Sequence, residues 1–599
     1  MKTNMKKYIA ALAFAPVLLS SCSADFLNEV NPNEQTPATF WINETNAYKG
    51  LSAVYSSVRH MSYGYYGGYE GILHYQMRAD DLYPTRGEEP WEWETLAFTN
   101  TSNTRNTCWG SIYKGIQLAN EFLYNVPNVP MDESKKSQWI GEAYFFRGFW
   151  YFRVACDFNE GVIRTLPQEG DPESHGLSSH QAVLEQAVAD LKEAKARLPK
   201  TRTADENGRI TQGAAIAMLG KAYLWLGKAA EAKTELASIM SGYGYDLTPE
   251  YEDNFRDDTE FNEESIWEIN YGPEGNIGES PWADSDGDNS FMGNTYGHYF
   301  GPHLEGSGAT GQNRGGGWYK MQPSPYLVKQ FIAEPRQAGS DSHWDKRMYT
   351  TCFFKYSDYE TEKADETFYD GFTFDQIFKY TALPSHDDKY RVKGALTSPA
   401  YPDINGKEGR FIWKKLTPWW SKTGCSMYSN PYARITNYRI MRFAEVLFLH
   451  AEACLETNDA PSAVADLKRI RQRAGLTPWK AGVSESDKDA VMEELRNQKL
   501  LEFAGENIRW DDLVRWYGSN FEQFQKIMKD RKTDSKEWKK LNLDPDAEDD
   551  GTDYWGYEPT GRIINTQYVN FNDKKYLYFP IPQSEVDANQ ALEQTPDWR

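Results

Sequence analysis

The chain has 599 residues, about four times an ordinary domain, with 40% hydrophobic and 25% charged residues, which excludes both a minimal module and an intrinsically disordered chain. Beyond the first twenty or so residues no apolar run reaches the ~18 residues that a membrane-crossing helix needs, so the body of the chain is not a polytopic helical transporter. The formal charge of −22 repels phosphate backbones, which argues against general nucleic-acid binding and favours neutral partners.

Met1 to Lys7 is basic, Ile9 to Leu19 is apolar apart from Pro16, and Leu19-Ser20-Ser21-Cys22 follows directly. Charge, apolar length and box together read as a lipoprotein signal peptide over 1–21, with Cys22 acylated at the new N-terminus. Several acyl chains on one residue would anchor it stably. Residues 22–37, rich in Asn, Glu, Pro and Thr, read as a lipidated tether.

Helical periodicity then dominates 38–242, with predicted helices at 41–58, 106–125, 134–156 and 179–197. Between 134 and 156, Trp139, Ala143, Phe146, Trp150 and Val154 lay one apolar stripe. From 211 to 240, Leu219-Gly220-x-x-Tyr223 followed by Ala232 and Leu236 has the offsets of tetratricopeptide helix pairs, whose small residues allow close approach. Residues 243–430 differ. They are rich in Gly, Pro, Trp, Tyr and Asp, show little period, and read as an irregular, loop-rich ligand-binding subdomain. Residues 431–599 return to the helical pattern: Leu447, Ala451, Cys454, Ala463, Leu467 and Ile470 repeat the tetratricopeptide offsets, and 486–503 predicts another helix. Residues 529–560, basic then acidic, predict a solvated loop. The predicted fold is mostly α: a tetratricopeptide-like helical-repeat scaffold of about four helix pairs, one assembled from distant segments, carrying the irregular subdomain.

Apart from Cys22 the cysteines are Cys108, Cys156, Cys352, Cys425 and Cys454, an odd set with no close spacing, so neither a disulfide framework nor a zinc knuckle is predicted. Cys156 and Cys454 fall on apolar helical stretches as buried thiols. Asp284, Asp286 and Asp288 concentrate oxygen ligands as calcium prefers, but the stretch lacks the glycine and glutamate of an EF-hand loop. A structural calcium and a solvated acidic turn both remain open there.

The aromatics are the unusual component: 20 Trp, 38 Tyr and 29 Phe, more than a helical core needs, which predicts many of them in loops or at a surface. Flat rings pack the C–H face of a pyranose without any charge, so aromatic platforms suit sugars. Two irregular stretches supply candidates. One holds Tyr63, Tyr65, Tyr66 and Tyr69 with Trp91 and Trp93; the other holds Trp282, Tyr296, Trp318 and Tyr319. Anchoring of the loops by these same rings is the competing structural reading, and Trp419-Trp420 is a further pair. With 87 Asp and Glu, the carboxylate pair of an exported glycoside hydrolase arises by chance, and no HExxH, GxSxG or phosphate loop supports catalysis. A scaffold for protein partners alone is a third reading.

Several motifs resemble the SusD/RagB family of outer-membrane nutrient-binding lipoproteins. Besides the lipobox these are Trp109-x-x-x-Tyr113-x-x-Ile116-x-x-Ala119-Asn120, Glu142-Ala143-x-x-x-Arg147-x-x-x-Tyr151-Phe152, Arg442-Phe443-Ala444-Glu445-Val446, and Ile470-Arg471-x-Arg473-Ala474-Gly475. Glu502-Phe503-x-Gly505-Glu506-x-x-Arg509-Trp510-x-Asp512-Leu513-x-Arg515-Trp516 follows. The end, Phe579-Pro580-Ile581-Pro582 and Gln594-Thr595-Pro596-Asp597-Trp598, is similar to the family's terminal patterns, from which Thr595 and Asp597 depart. Arg442, Glu445, Arg509, Asp512 and Arg515 read as paired ions that fix helices. The resemblance implies a non-enzymatic protein on the cell surface, a hinged lid over a SusC-like TonB-dependent transporter in the outer membrane. Such a lid captures oligosaccharides, or peptides as in RagB-like members. It further implies an arc of Trp91 or Trp93 with Tyr296 and Trp318, and Arg78, Asp80 and Asn103 as nearby hydrogen-bonding groups.

Overall fold

The computed structural model describes residues 37–59, 78–84, 96–102, 108–168, 170–271, 321–353, 412–417, 420, 436–533 and 571–599. The predicted helices are present. They are α1 (Glu44–Arg59), α2 (Cys108–Asn125), α3 (Glu133–Phe158), α4 (His180–Arg197), α5 (Gln212–Trp225) and α6 (Ala229–Gly242). After two short helices, α7 (Pro325–Ile332) and α8 (Lys346–Thr351), come α9 (Phe443–Glu456), α10 (Ala460–Arg473), α11 (Lys488–Phe503), α12 (Arg509–Tyr517), α13 (Phe521–Thr533) and α14 (Gln583–Ala588). Residues 529–533 thus end a helix, which corrects the reading of a loop from 529; 534–560 lie outside the described residues.

Capping chemistry sets several starts. Asp132, Ser179, Thr211 and Asp487 each accept a backbone N–H from the first turn of α3, α4, α5 and α11. The helices pack in antiparallel succession as α1–α2, α3–α4, α5–α6 and α9–α10, and α6 rests on α9 although some two hundred residues separate them in sequence. The α1–α2 pair is the one built from distant segments.

The two repeat copies close with the same turn. Lys228 N donates to Tyr223 O at 2.8 Å, and Asp459 N to Cys454 O at 2.7 Å. Each turn needs a left-handed residue, supplied by Gly227 (φ 69°) in one and Asn458 (φ 60°) in the other. Close approach is real: a Cβ on Gly220 would stand 2.5 Å from Leu236 Cγ, so only glycine admits this α5–α6 contact.

Most described aromatics are core residues, contrary to the surface placement their number suggests. Trp109, Trp139, Trp150, Trp267, Trp413 and Trp510 are all buried. Trp267 meets Phe145 and Phe149 edge-on at 5.0 and 4.9 Å, and inter-element gaps this wide are filled by rings where a Leu would leave a void. Cys108, Cys156, Cys352 and Cys454 are buried free thiols. Among the described residues no helix is long and apolar enough to cross a membrane, and no group of three or more His, Cys, Asp or Glu could hold a metal.

Among the described residues there are three antiparallel two-stranded ladders. They pair β1 (Leu82–Pro84) with β3 (Met321–Pro323), β2 (Ser265–Ile269) with β6 (Tyr438–Arg442), and β4 (Cys352–Phe353) with β5 (Ile412–Trp413).

Candidate functional site

The β1–β3 register sets Tyr83 opposite Gln322 and Pro84 opposite Met321. The chain therefore enters 85–95, which holds Trp91 and Trp93, beside the point where it leaves 272–320, which holds Trp282, Tyr296, Trp318 and Tyr319. β3 also touches β5, whose ladder with β4 brackets residues 354–411. Three long segments thus start or end on one small base.

That base is bolted to the scaffold by side chains that precede β1. The Arg78 guanidinium lies 4.6 Å from the Trp510 ring and 4.0 Å from the Phe579 ring, and donates to the Tyr576 and Leu577 carbonyls at 3.3 Å. Asp80 takes Arg509 Nε at 2.7 Å and Nη2 at 2.9 Å, and Arg531 Nη1 at 2.6 Å. Burial alone would raise its pKa, but the two guanidiniums overcome this and hold the carboxyl well below the usual range. Asp81 accepts Gly505 N at 2.9 Å and is pushed up to about 6 by burial, with the charge on Asp80 adding to the shift. Ser324, the cap of α7, then joins β3 to this segment by donating Oγ–H to Asp80 O and N–H to Asp81 O. Arg78 and Asp80 are both buried, so their position is that of clamps beneath the region assigned to the ligand, not of groups on its surface.

The far end of the Trp91–Trp93 stretch is tied as well. Phe98 packs between Tyr576, Phe579 and Trp598 at 5.4 to 5.6 Å, and Asn100 exchanges hydrogen bonds with Gln583 at 2.8 and 3.0 Å. The C-terminal motif is what receives them: Gln594 bonds both the N–H and the C=O of Ile581, at 2.9 and 2.7 Å, as a strand partner would.

A second anchorage holds the segments around β4 and β5. Four cations (Arg347, Lys415, Arg442, Arg473) face four carboxylates (Glu264, Asp345, Glu502, Glu506), all buried or nearly so. Glu502 of α11 is shared by Arg347 from α8 at 3.3 Å, Arg442 from β6 at 3.1 Å, and Arg473 from α10. Burial opposes its ionisation, but Arg473, Arg442 and Arg347 keep it far below the ordinary carboxylate range. Lys415 donates to Glu506 at 2.6 Å and to the Glu502 and Ala504 carbonyls. Arg442 and Glu502 are legible in the motifs; Arg347, Lys415 and Glu264 carry no periodic or motif signal and are found only in three dimensions. The other predicted ion-pair residues are paired too: Glu445 with Lys221, Asp512 with Lys499, and Arg515 with Glu452.

Trp91, Trp93, Tyr296, Trp318, Tyr65, Tyr66, Trp282, Tyr319 and Asn103 lie outside the described residues, as do Cys22 and Asp284, Asp286 and Asp288. Trp420 is described. It is buried and donates Nε1–H to Lys414 O at 3.1 Å, so it anchors a loop.

The fold is a helical-repeat frame that carries the described flanks of residues 85–95, 272–320 and 354–411. Residues 263–598 match the sequence profile described as the SusD family, and the chain belongs to that family. Residues 25–224 also match a profile described as starch-binding, associating with the outer membrane. A SusD-like protein of Bacteroides ovatus is 22% identical across all of this chain and 99% of its own, and SusD-like protein P38 of Formosa agariphila is 22% identical over 83% of this chain and 88% of its own. Among solved structures, a SusD superfamily protein from Bacteroides vulgatus has a TM-score of 0.65 at 24% identity, covering 94% of this chain and all of that one. A laminarin-binding SusD-like protein has 0.64 at 22%, over 93% of this chain and all of that one. A structure with a xylogluco-oligosaccharide has 0.63 at 19%, over 90% and 97%.

Proposed function

We propose that this chain is a lipid-anchored, surface-exposed glycan-binding protein of the outer membrane that captures oligosaccharides without chemistry and passes them to a SusC-like TonB-dependent transporter. The observation that supports the reading is the β1–β3 pairing, which sets the chain just before residues 85–95 beside the chain just after residues 272–320. Relatives that bind laminarin and a xylogluco-oligosaccharide support carbohydrate as the cargo, and the outer-membrane profile supports the location.

In this reading Trp91 or Trp93, Tyr296 and Trp318 form the aromatic arc, with Tyr65, Tyr66, Trp282 and Tyr319 around it and Asn103 as a hydrogen-bonding neighbour. Arg78 and Asp80 act as positioning residues. Asp284, Asp286 and Asp288 offer a calcium site that would stiffen their loop. Three platforms at ~1.5 kcal/mol each give a dissociation constant near the millimolar range, so affinity grows with glycan length and with contacts to the transporter. Calorimetry on the purified full chain in detergent tests this. Oligosaccharides should bind and their monosaccharides should not, and Trp318→Ala should weaken binding about tenfold. Equal affinity for both lengths defeats the arc.

A further inference from the structure

A separate groove opens between α1 and α3. It has a volume of about 650 Å³, within the size range of small-molecule sites, and is lined by α1, the head of α3 and the turn before α5. Its floor is aromatic. Tyr48 is 54% exposed, unusual for a large ring among the described residues, and rests on buried Trp139 with centroids 5.7 Å apart and planes tilted by 49°. One side of the phenol is thus supported while much of it stays in water.

The walls combine both signs of charge with hydroxyl groups. Lys135 pairs with Glu44 at 2.5 Å, both near half exposed, and Arg209 bridges Glu142 and Glu206. Asp132 is held as the cap of α3, accepting Lys135 N at 2.8 Å. The hydroxyls of Thr45 and Ser134 make no hydrogen bond to a described residue, and Gln138 receives Arg202 at 3.3 Å through its oxygen alone.

This chemistry selects among ligands. A polyanion would meet the carboxylates of Glu44, Asp132 and Glu206, and a simple cation would meet Lys135 and Arg209. A neutral ligand that donates and accepts through many hydroxyls and stacks a C–H face on a ring satisfies both walls and floor. We infer that this groove is a second oligosaccharide-binding site, centred on Tyr48 and independent of the aromatic segments rooted at β1–β3. It rests on the reading of the cargo as carbohydrate. Two separated contacts on one glycan would raise avidity without any new interaction.

Affinity electrophoresis of the full chain in detergent, through gels carrying laminarin, xyloglucan or starch, tests the site. A Trp91→Ala/Trp93→Ala/Trp318→Ala variant should keep a residual retardation. Adding Tyr48→Ala should weaken that residue about tenfold or more, while adding Tyr48→Phe, which keeps the ring, should preserve it. Residual retardation indifferent to Tyr48→Ala, or none at all in the triple variant, overturns the second site and leaves the first standing. Retardation lost with Tyr48→Ala but untouched by the triple change supports the second site and overturns the first. No retardation of the wild type on any of the three glycans overturns both.

Discussion

The helix pairs and the base of the irregular region bury comparable side chains by different physics. In the α2–α6 part of the scaffold the contacts are mainly apolar, drawn tight by Gly115, Gly148 and Gly220 against Trp150, Leu191 and Leu236, with Arg147–Asp190 as a single buried ion pair between α3 and α4. Around α8, β5 and α11 the contact is an array of four cations and four carboxylates. Apolar packing gains stability from any well-shaped filling. A buried ion array loses much of its Coulombic gain to desolvation, yet tolerates the loss of no member. The scaffold should therefore respond to changes of volume, and the base to changes of charge.

The largest expected effect falls where the two regimes share a residue. Glu502→Ala strands Arg347, Arg442 and Arg473 around a missing carboxylate and should cost about 3–5 kcal/mol in urea unfolding. A loss below ~1 kcal/mol would show that water readily replaces the carboxylate and that the array does not lock the base.

In the scaffold, Gly115→Ala adds only a methyl, but its Cβ would come 2.1 Å from Nε1 of Trp150, an indole that also donates to Ser57 at 3.1 Å. Overpacking should cost about 1–3 kcal/mol. Glycan retention measured well below the melting temperature should not change, because neither Gly115 nor Trp150 lines the Tyr48 groove or pairs with β1–β3. A loss of retention at unchanged stability would break the division between regions.

A smaller effect separates positioning from stability. Arg78→Met keeps the volume between Trp510 and Phe579 but removes the cation–π contacts, for about 1–2 kcal/mol. Because Arg78 fixes the strand that leads to Trp91, oligosaccharide affinity should fall while the scaffold still melts cooperatively. Intact affinity after a measurable loss of stability would reduce Arg78 to a structural residue.

The same division explains what could be read from the sequence. Helices announce themselves through period, and even the degenerate copy with Cys454 in the aromatic position closes on the same turn as its partner with Tyr223. Ion pairs within motifs are readable because Arg442, Glu502 and Glu506 sit on or beside the recognisable helical stretches, Arg442 just before α9 and Glu506 just after α11. Arg347 and Lys415 are not, since Glu502, which both reach, is more than eighty residues from either and no spacing rule links them; only Asp345, beside Arg347, is close in sequence. The aromatic count misleads for a related reason. Composition records how many rings there are and not how wide a gap each must fill, so Trp420 reads as a surface candidate and folds as core, as Trp267 and Trp413 also do.

The smallest effect is one of sign. On the scaffold, His450 Nδ1 lies 2.6 Å from Asp466 across α9–α10; burial opposes its charge, but the carboxylate and Cys454 raise it to about 9. Unfolded, it titrates near 6.5, so its contribution is complete below that pH and disappears as pH rises through 9. At the base, burial lowers Lys414 to about 7, with its ammonium donating to Tyr349 O at 3.1 Å and lying 4.9 Å from the Trp420 ring. Its unfolded value is 10.5, so between about 7 and 10.5 the unfolded chain binds more protons and stability rises with pH. The stability difference between wild type and His450→Gln should shrink from pH 6 to pH 10, whereas the difference between wild type and Lys414→Met should move in favour of the wild type over the same range. Parallel slopes would mean that scaffold and base respond to protons as one body, and the contrast between them would fail.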